Sequence, residues 1–330
     1  MTSTEDGEGV AAGRPPAAAR ARVDEGSESG LVTGFGVRLA EAFAARGQLC
    51  VGIDPHDYLL DAWGLARSAA GVREFGLRVV DAAAAHVGIV KPQVAFYELY
   101  GAAGFAALED VLAAARAAGL LVIGDAKRGD IGTSVEAYGR AWLSPGSPLE
   151  VDAMTLTAYT GVGSLAAVLE LAETNGKGAF VLSATSNPES FVLQTARARA
   201  AGAEFSTAGL VASEVSTFNR AHHVAGAWLG NIGLVLGATK NLSDYGIDRD
   251  VLATAPATPV LAPGFGFQGA RFDQVRSVFG ALTPGTVISV SRSVLQSGPA
   301  GVEQSIRQQA DELAEALSAG GPSPIDGAGR

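Results

Sequence analysis

Leu120-Leu121-Val122-Ile123-Gly124-Asp125-Ala126-Lys127 opens as an unbroken apolar run and closes on two opposite charges. A short run that is apolar at every position reads as a strand covered on both faces, the habit of parallel sheets. Side chains alternate along a strand, so Asp125 and Lys127 share one face. Charges at the end of such a strand are expensive unless they are paired or used. Arg128-Gly129-Asp130-Ile131 then turns the chain toward the next helix, which places Asp130 three residues beyond Lys127.

Outward from this run the same unit recurs. Cys50–Asp54, Gly88–Lys91, Ala153–Thr157, Ala179–Thr185, Gly233–Ala238, Val260–Pro263 and Thr286–Arg292 bring the strands to eight. Between them lie helical patterns at Val72–His86, Phe96–Ala118, Leu165–Glu173, Ala208–Trp228 and Glu303–Leu317. A further helix, Gly36–Ala45, precedes the first strand and is suited to cap the bottom of a barrel. Eight alternating units predict an α/β fold, a (β/α)8 TIM barrel, as one catalytic domain over residues 31–318. Residues 1–30 are rich in Ala, Gly, Glu and Arg, contain Pro15-Pro16 and lack the apolar core of a signal peptide. They are expected to form a disordered extension, and 319–330, with Pro322 and Pro324, a flexible tail.

Composition narrows the function. A net charge of −10 over 330 residues makes a poor general binder of nucleic acid or of an anionic membrane, though a locally positive site can still hold a phosphate. There is no apolar stretch of about twenty residues, so no transmembrane helix is expected. The single cysteine, Cys50, forms no intrachain disulfide and reads as a buried strand residue; with no Cys/His cluster, neither zinc nor another metal is implied. This suits a reducing cytoplasm.

In a barrel of this kind the chemistry lies at the C-terminal ends of the strands. The polar residues fall there: Asp54, Lys91, Asp125 and Lys127, Thr155 and Thr157, Ser183, Thr185 and Ser186, and Arg292. Lys91 and Asp125–Lys127 come from neighbouring strands, so Lys91, Asp125, Lys127 and Asp130 are expected to form one array of alternating charge. Flanking carboxylates keep both amines charged and fixed. A fixed ammonium donates protons, and a nearby carboxylate disfavours a substrate carboxylate set against it; together these suit decarboxylation followed by protonation of a carbanion. Schiff-base chemistry needs a neutral amine, which these neighbours oppose. The same array would also serve as a structural ion-pair network at a barrel rim.

Gly264-Phe265-Gly266-Phe267-Gln268-Gly269 has the spacing of a dinucleotide fingerprint, but it stands late in the chain instead of in a first βα unit. After a seventh barrel strand it fits a phosphate-binding loop better, with Arg292 at the end of the eighth strand supplying a fork for phosphate oxygens. Among the four histidines, only His56, behind Asp54-Pro55, stands at a strand end; His86 reads as a packed helix residue and His222-His223 as solvated. The polar stretch 187–207 reads either as a surface insertion or as a substrate lid.

Asp125-x-Lys127-x-x-Asp130-Ile131 resembles the signature of the orotidine 5'-phosphate decarboxylase family. So do Val51-Gly52-Ile53-Asp54-Pro55-His56, Val90-Lys91-Pro92-Gln93, Ser186-Asn187-Pro188-Glu189 and Pro263-Gly264-Phe265-Gly266-Phe267-Gln268-Gly269, which are similar to the longer bacterial branch. The resemblance runs in order from about Phe35 to Gln296. It implies conversion of orotidine 5'-phosphate to UMP and CO2 without metal or organic cofactor. It further implies Lys127 as the proton donor to C6, Asp125 beside the departing carboxylate, and Lys91 organising the array. Asp54 is implied on the ribose hydroxyls, Ser186 on the pyrimidine edge, and Gly264, Gln268, Gly269 and Arg292 on the phosphate. Asp130 would reach the partner's site across a homodimer interface. A metal-dependent sugar-phosphate decarboxylase or synthase, and a non-catalytic nucleotide-binding barrel, are the rival expectations.

Overall fold

The structure, a computed structural model, describes residues 32–319. The expected tails, 1–30 and all but the first residue of 319–330, lie outside the described residues.

Among the described residues there are ten strands: β1 (Leu49–Ile53), β2 (Ile89–Pro92), β3 (Leu121–Arg128), β4 (Ala153–Leu156), β5 (Gly178–Ala184), β6 (Arg197–Ala200), β7 (Ala203–Ser206), β8 (Ile232–Leu236), β9 (Val260–Ala262) and β10 (Thr286–Val290). Eight of them close into a barrel in the order β1-β10-β9-β8-β5-β4-β3-β2. All its neighbours run parallel. These are the eight strands expected from the apolar runs, each shifted by a residue or two at its ends.

The period of two sorts each strand into an outer and an inner face. Val51, Val90, Val122, Met154 and Val181 turn outward and join the core under the helices. Cys50, Ile89, Ile123, Ala153, Phe180, Leu261 and Val287 turn inward and fill the barrel. Two residues further along β2, β3 and β4, the same inward face carries Lys91, Asp125 and Thr155. The apolar layer thus forms the floor on which the polar residues stand. Burial pushes the Cys50 thiol up to about 12, so this cysteine is packed and unreactive.

The helix Phe35–Arg46 closes the bottom as expected, with Phe35 edge-on to Phe180 at 5.9 Å between ring centroids. Charges gather there too. Arg38 pairs with Asp152 and donates to the Gly176 carbonyl at 2.8 Å. Lys177 reaches Glu150 at 2.7 Å and Asp152 at 3.8 Å, and Asp152 also accepts from the Val122 N–H at 2.9 Å.

The expected helices differ most in three places, and the helix Gly132–Leu143 is one that no expected pattern covered. The pattern read as Phe96–Ala118 is two helices, Ala95–Glu98 and Gly101–Ala117, broken where Gly101 takes φ 58°, a conformation open to glycine. The helix expected to reach Trp228 ends at Ala221. The last helix begins earlier, at Gly298, because Pro299 is well suited to a first turn. The stretch 187–207 is a short helix, Ser190–Gln194, followed by the antiparallel hairpin β6–β7 outside the barrel. Its two-residue loop, Ala201-Gly202, has φ of 49° and 81°, which fits the twist of a tight hairpin.

Candidate active site

A cavity of about 780 Å³ opens at the C-terminal ends of the strands. That volume suits a small organic ligand such as a nucleotide. Three cations, Lys91, Lys127 and Arg292, and three carboxylates, Asp54, Asp125 and Glu189, line it. In a chain of net charge −10 this is a local relief of negative charge.

Asp125 is the centre of the arrangement. Its Oδ1 accepts from the Lys127 ammonium at 2.6 Å and the Thr155 hydroxyl at 2.9 Å. Its Oδ2 accepts from Lys91 Nζ at 2.8 Å and Gln93 Nε2 at 3.0 Å. Four donors saturate the carboxylate. Burial alone would push the Asp125 carboxyl up, but the charges of Lys91 and Lys127 and their hydrogen bonds overcome it and hold it well below the usual carboxylate range. Lys91 is the mirror case: burial works against its charge, and the carboxylates of Asp125 and then Asp54 hold it above the usual lysine value. Both groups are locked in their charged forms.

The two lysines are not equivalent. Both line the cavity, but Lys91 has only 8% of its side chain exposed, whereas Lys127 has 46%. Its backbone lies in the left-handed region at φ 48°, where β3 slips its register against β4. The bulge follows the last apolar residues of the strand.

The remaining expected residues divide. Asp54, at the end of β1, lines the cavity, and its Oδ1 is buried without a hydrogen-bond partner in the structure. Ser186, Gly264, Gln268 and Arg292 also line it. Gly264 takes φ 120°, beyond the reach of most side chains, and lets the chain leave β9 across the mouth. The Arg292 guanidinium lies over the Phe267 ring, 3.7 Å from its centroid, which orients the fork without consuming its donors.

Two expected residues stand outside. Gly269 does not line the cavity: it closes the turn Gly266–Gln268, and its N–H is taken by the Gly266 carbonyl at 2.9 Å. Asp130 does not join Lys91, Asp125 and Lys127 within the chain. The bulge has already turned the backbone outward, and its carboxylate accepts from the Ile131 N–H at 2.8 Å. The array within one chain is therefore Lys91, Asp125 and Lys127, with Gln93 and Thr155.

Thr155 is one of the strand-end polar residues expected at the mouth, but neither it nor Gln93 is among those expected in the charged array. Gln93 stands two residues after Lys91 and Thr155 two after Ala153, so the period of two is the signal that would have found them. His56 packs between Phe96 and Tyr58, at 4.3 and 5.4 Å between ring centroids, and burial lowers its pKa. His222 is not simply solvated: it stacks on Phe218 at 4.1 Å and lies 3.2 Å from Glu170. Of the stretch 187–207, Asn187, Glu189, Ser190, Leu193, Gln194 and Thr207 border the cavity, whereas the hairpin does not. Among the described residues no cluster of three or more His, Cys, Asp or Glu is arranged to hold a metal ion, and no helix is long and apolar enough to cross a membrane.

Residues 47–305 match the model of the orotidine 5'-phosphate decarboxylase / HUMPS family. The chain is 46% identical over 265 residues to the orotidine 5'-phosphate decarboxylase of Corynebacterium efficiens, covering 80% of this chain and 91% of that protein. It is 47% identical over 266 residues to that of Salinispora arenicola, with the same coverage. A crystal structure titled as a putative orotidine 5'-phosphate decarboxylase from Streptomyces avermitilis superposes with a TM-score of 0.80 at 41% identity, over 89% of this chain and all of that one. Geometry, family match and relatives covered over most of their length agree: the chain belongs to the orotidine 5'-phosphate decarboxylase / HUMPS family.

Proposed function

We propose that Lys127 delivers the proton in the reaction of this enzyme, the decarboxylation of orotidine 5'-phosphate to UMP and CO2 in pyrimidine biosynthesis. The single observation that carries this role is the difference between the two lysines on Asp125: one side chain is almost wholly buried and the other is half open to the cavity.

The bond from C6 to the carboxylate breaks, CO2 leaves and the electron pair stays on C6. The Lys127 ammonium gives its proton to C6, yielding UMP, and the amine regains a proton from water. Preorganised cations beside the developing charge need no rearrangement as it forms, and each such donor is worth roughly 3–4 kcal/mol in well-studied sites. Asp125, fixed by four donors, stands where the substrate carboxylate is destabilised. Lys91 keeps Asp125 charged. Asp54, with an unpartnered oxygen, takes a ribose hydroxyl, and Ser186 reads the pyrimidine edge. Arg292, Gln268 and the backbone at Gly264 hold the phosphate, whose binding energy closes the site over the ring. Gly269 serves the same loop from behind, as the residue that closes its turn.

The active form is a homodimer in which Asp130 completes the partner's array. Its carboxylate lies outside its own chain's array, and beside it Ile131 is 61% exposed, an apolar side chain in want of cover. Cytoplasmic location agrees with the lone, reduced Cys50.

The test is a direct absorbance assay with orotidine 5'-phosphate, with and without EDTA. Full turnover in EDTA is expected. Loss of turnover on chelation, restored by a divalent metal, would favour the metal-dependent chemistry of sugar-phosphate relatives; binding of UMP with no CO2 release would favour a binding barrel. Mixing inactive Lys127→Ala with inactive Asp130→Ala chains should restore part of the activity through hybrid dimers, and no recovery would refute the shared site.

A further inference from the structure

Strand β3 does not pair evenly with β4. Gly124 pairs with Met154 and Arg128 with Leu156, so four residue steps on β3 oppose two on β4. The surplus is the bulge that holds Asp125, Ala126 and Lys127. A bulge strands backbone groups that the ladder would have paired. It also leaves Lys127 at φ 48°, a region that a lysine seldom occupies unless its surroundings hold it there.

Thr155, on β4 opposite the surplus, supplies the missing partner. Its Oγ1 accepts from the Lys127 backbone N–H at 2.9 Å and donates to Asp125 Oδ1 at 2.9 Å. The Lys127 ammonium is bonded to that same Oδ1 at 2.6 Å. Thr155 is 1% exposed and stands on the inward face of the strand, so its hydroxyl relies on these protein partners. One hydroxyl therefore touches the backbone from which the Lys127 side chain departs and the carboxylate oxygen on which that side chain ends. Both of its hydrogen bonds go to members of the array, and none to the core around it.

We infer that Thr155 is a positioning residue for proton delivery: its hydroxyl holds the β3 bulge so that the Lys127 ammonium rests on Asp125 and faces the cavity. This rests on Lys127 being the proton donor. A residue in this place needs a group that accepts and donates from one atom, at the reach of a short side chain. Serine meets that need; valine, of nearly the same shape, does not.

The experiment measures kcat, KM and melting temperature for Thr155→Val and Thr155→Ser, with Lys127→Ala as reference. Thr155→Val is expected to lower kcat by about 10–100-fold, the equivalent of one hydrogen bond to a charged group, while KM changes by less than about threefold. Thr155→Ser is expected to recover kcat to within about threefold of the native enzyme. A role confined to stability would move the melting temperature and leave kcat of the folded enzyme intact. If Thr155→Val does not fold, Thr155→Ala, which removes the hydroxyl without adding a methyl group, is held to the same expectation. Native kcat without the hydroxyl, or a serine variant as slow as the valine one, overturns the inference. Lys127→Ala separates the two readings: near-native turnover there removes the proton donor itself, whereas an inactive Lys127→Ala beside a fully active Thr155→Val leaves the donor standing and removes only the role of Thr155.

Discussion

The barrel carries a network of alternating charge at each end, and the two are built alike. At the mouth, Asp125 takes Lys91, Lys127, Gln93 and Thr155. At the bottom, Asp152 takes Arg38 and the Val122 N–H, with Lys177 bridging to Glu150. Each joins neighbouring strands through an aspartate. They differ in what the cations face. Lys177 has 9% of its side chain exposed and ends on carboxylates, and Arg38 ends on Asp152 and a backbone carbonyl. Lys127 ends on Asp125 too, but 46% of its side chain looks into a cavity of about 780 Å³. Alternating charge at a barrel end is thus no sign of chemistry by itself. A charged amine held rigidly and left open to a ligand-sized space is.

Substitutions can break this comparison. The largest effect is expected for Asp125→Ala, which leaves Lys91 buried without its partner and Lys127 without its rest. It should cost about 3–5 kcal/mol of stability and also reduce turnover of the folded enzyme by roughly 10³-fold or more. Denaturant unfolding and steady-state kinetics on the same preparation check both halves.

Asp152→Ala is the counterpart at the bottom. Removing one member of a sealed network should cost a similar ~3–5 kcal/mol. Here kcat/KM of the folded fraction should stay unchanged, and a parallel fall in kcat would show that the two networks are coupled through the barrel.

Arg292→Ala sharpens the division within the mouth. Its guanidinium, stacked over Phe267, is the proposed phosphate ligand, so KM should rise about 10–100-fold, the loss of charge-assisted hydrogen bonds. An unchanged KM would argue against the phosphate assignment.

The smallest effect is that of pH. The Asp125 carboxyl is depressed, so its contribution to stability is present above its unfolded value near ~4 and fades only as pH falls through the lower folded one. Lys91 is raised, so its contribution is present below about 10.4 and is lost only as pH rises through a still higher value. Neither group changes charge between about pH 5 and 9, and kcat at saturating substrate should show no titration from them there. A limb in that window that Asp125→Ala removes would contradict the assigned charge states.

Much of this was legible in the residues. Each barrel strand was an apolar run bounded by turns, and the charges closing Leu120–Lys127 and Val90–Lys91 located the mouth, because such charges have no other cheap place. Gln93 and Thr155 follow from alternation once the inward face is known. The bottom network was not legible: Glu150, Asp152 and Lys177 precede their strands, where a charge reads as loop. The hairpin β6–β7 hid in an Arg/Ala stretch whose turn, Ala201-Gly202, lacks the usual Asn-Gly. The bulge that sends Asp130 outward depends on a mismatch between two strands, which neither strand's sequence displays alone.

The most direct measurement is turnover of Lys127→Ala alongside its melting temperature. A loss of at least ~10³-fold is expected, toward the upper part of what a positioned proton donor supplies, at an almost unchanged melting temperature, since this side chain is open to the cavity. Near-native turnover in the folded variant would contradict it.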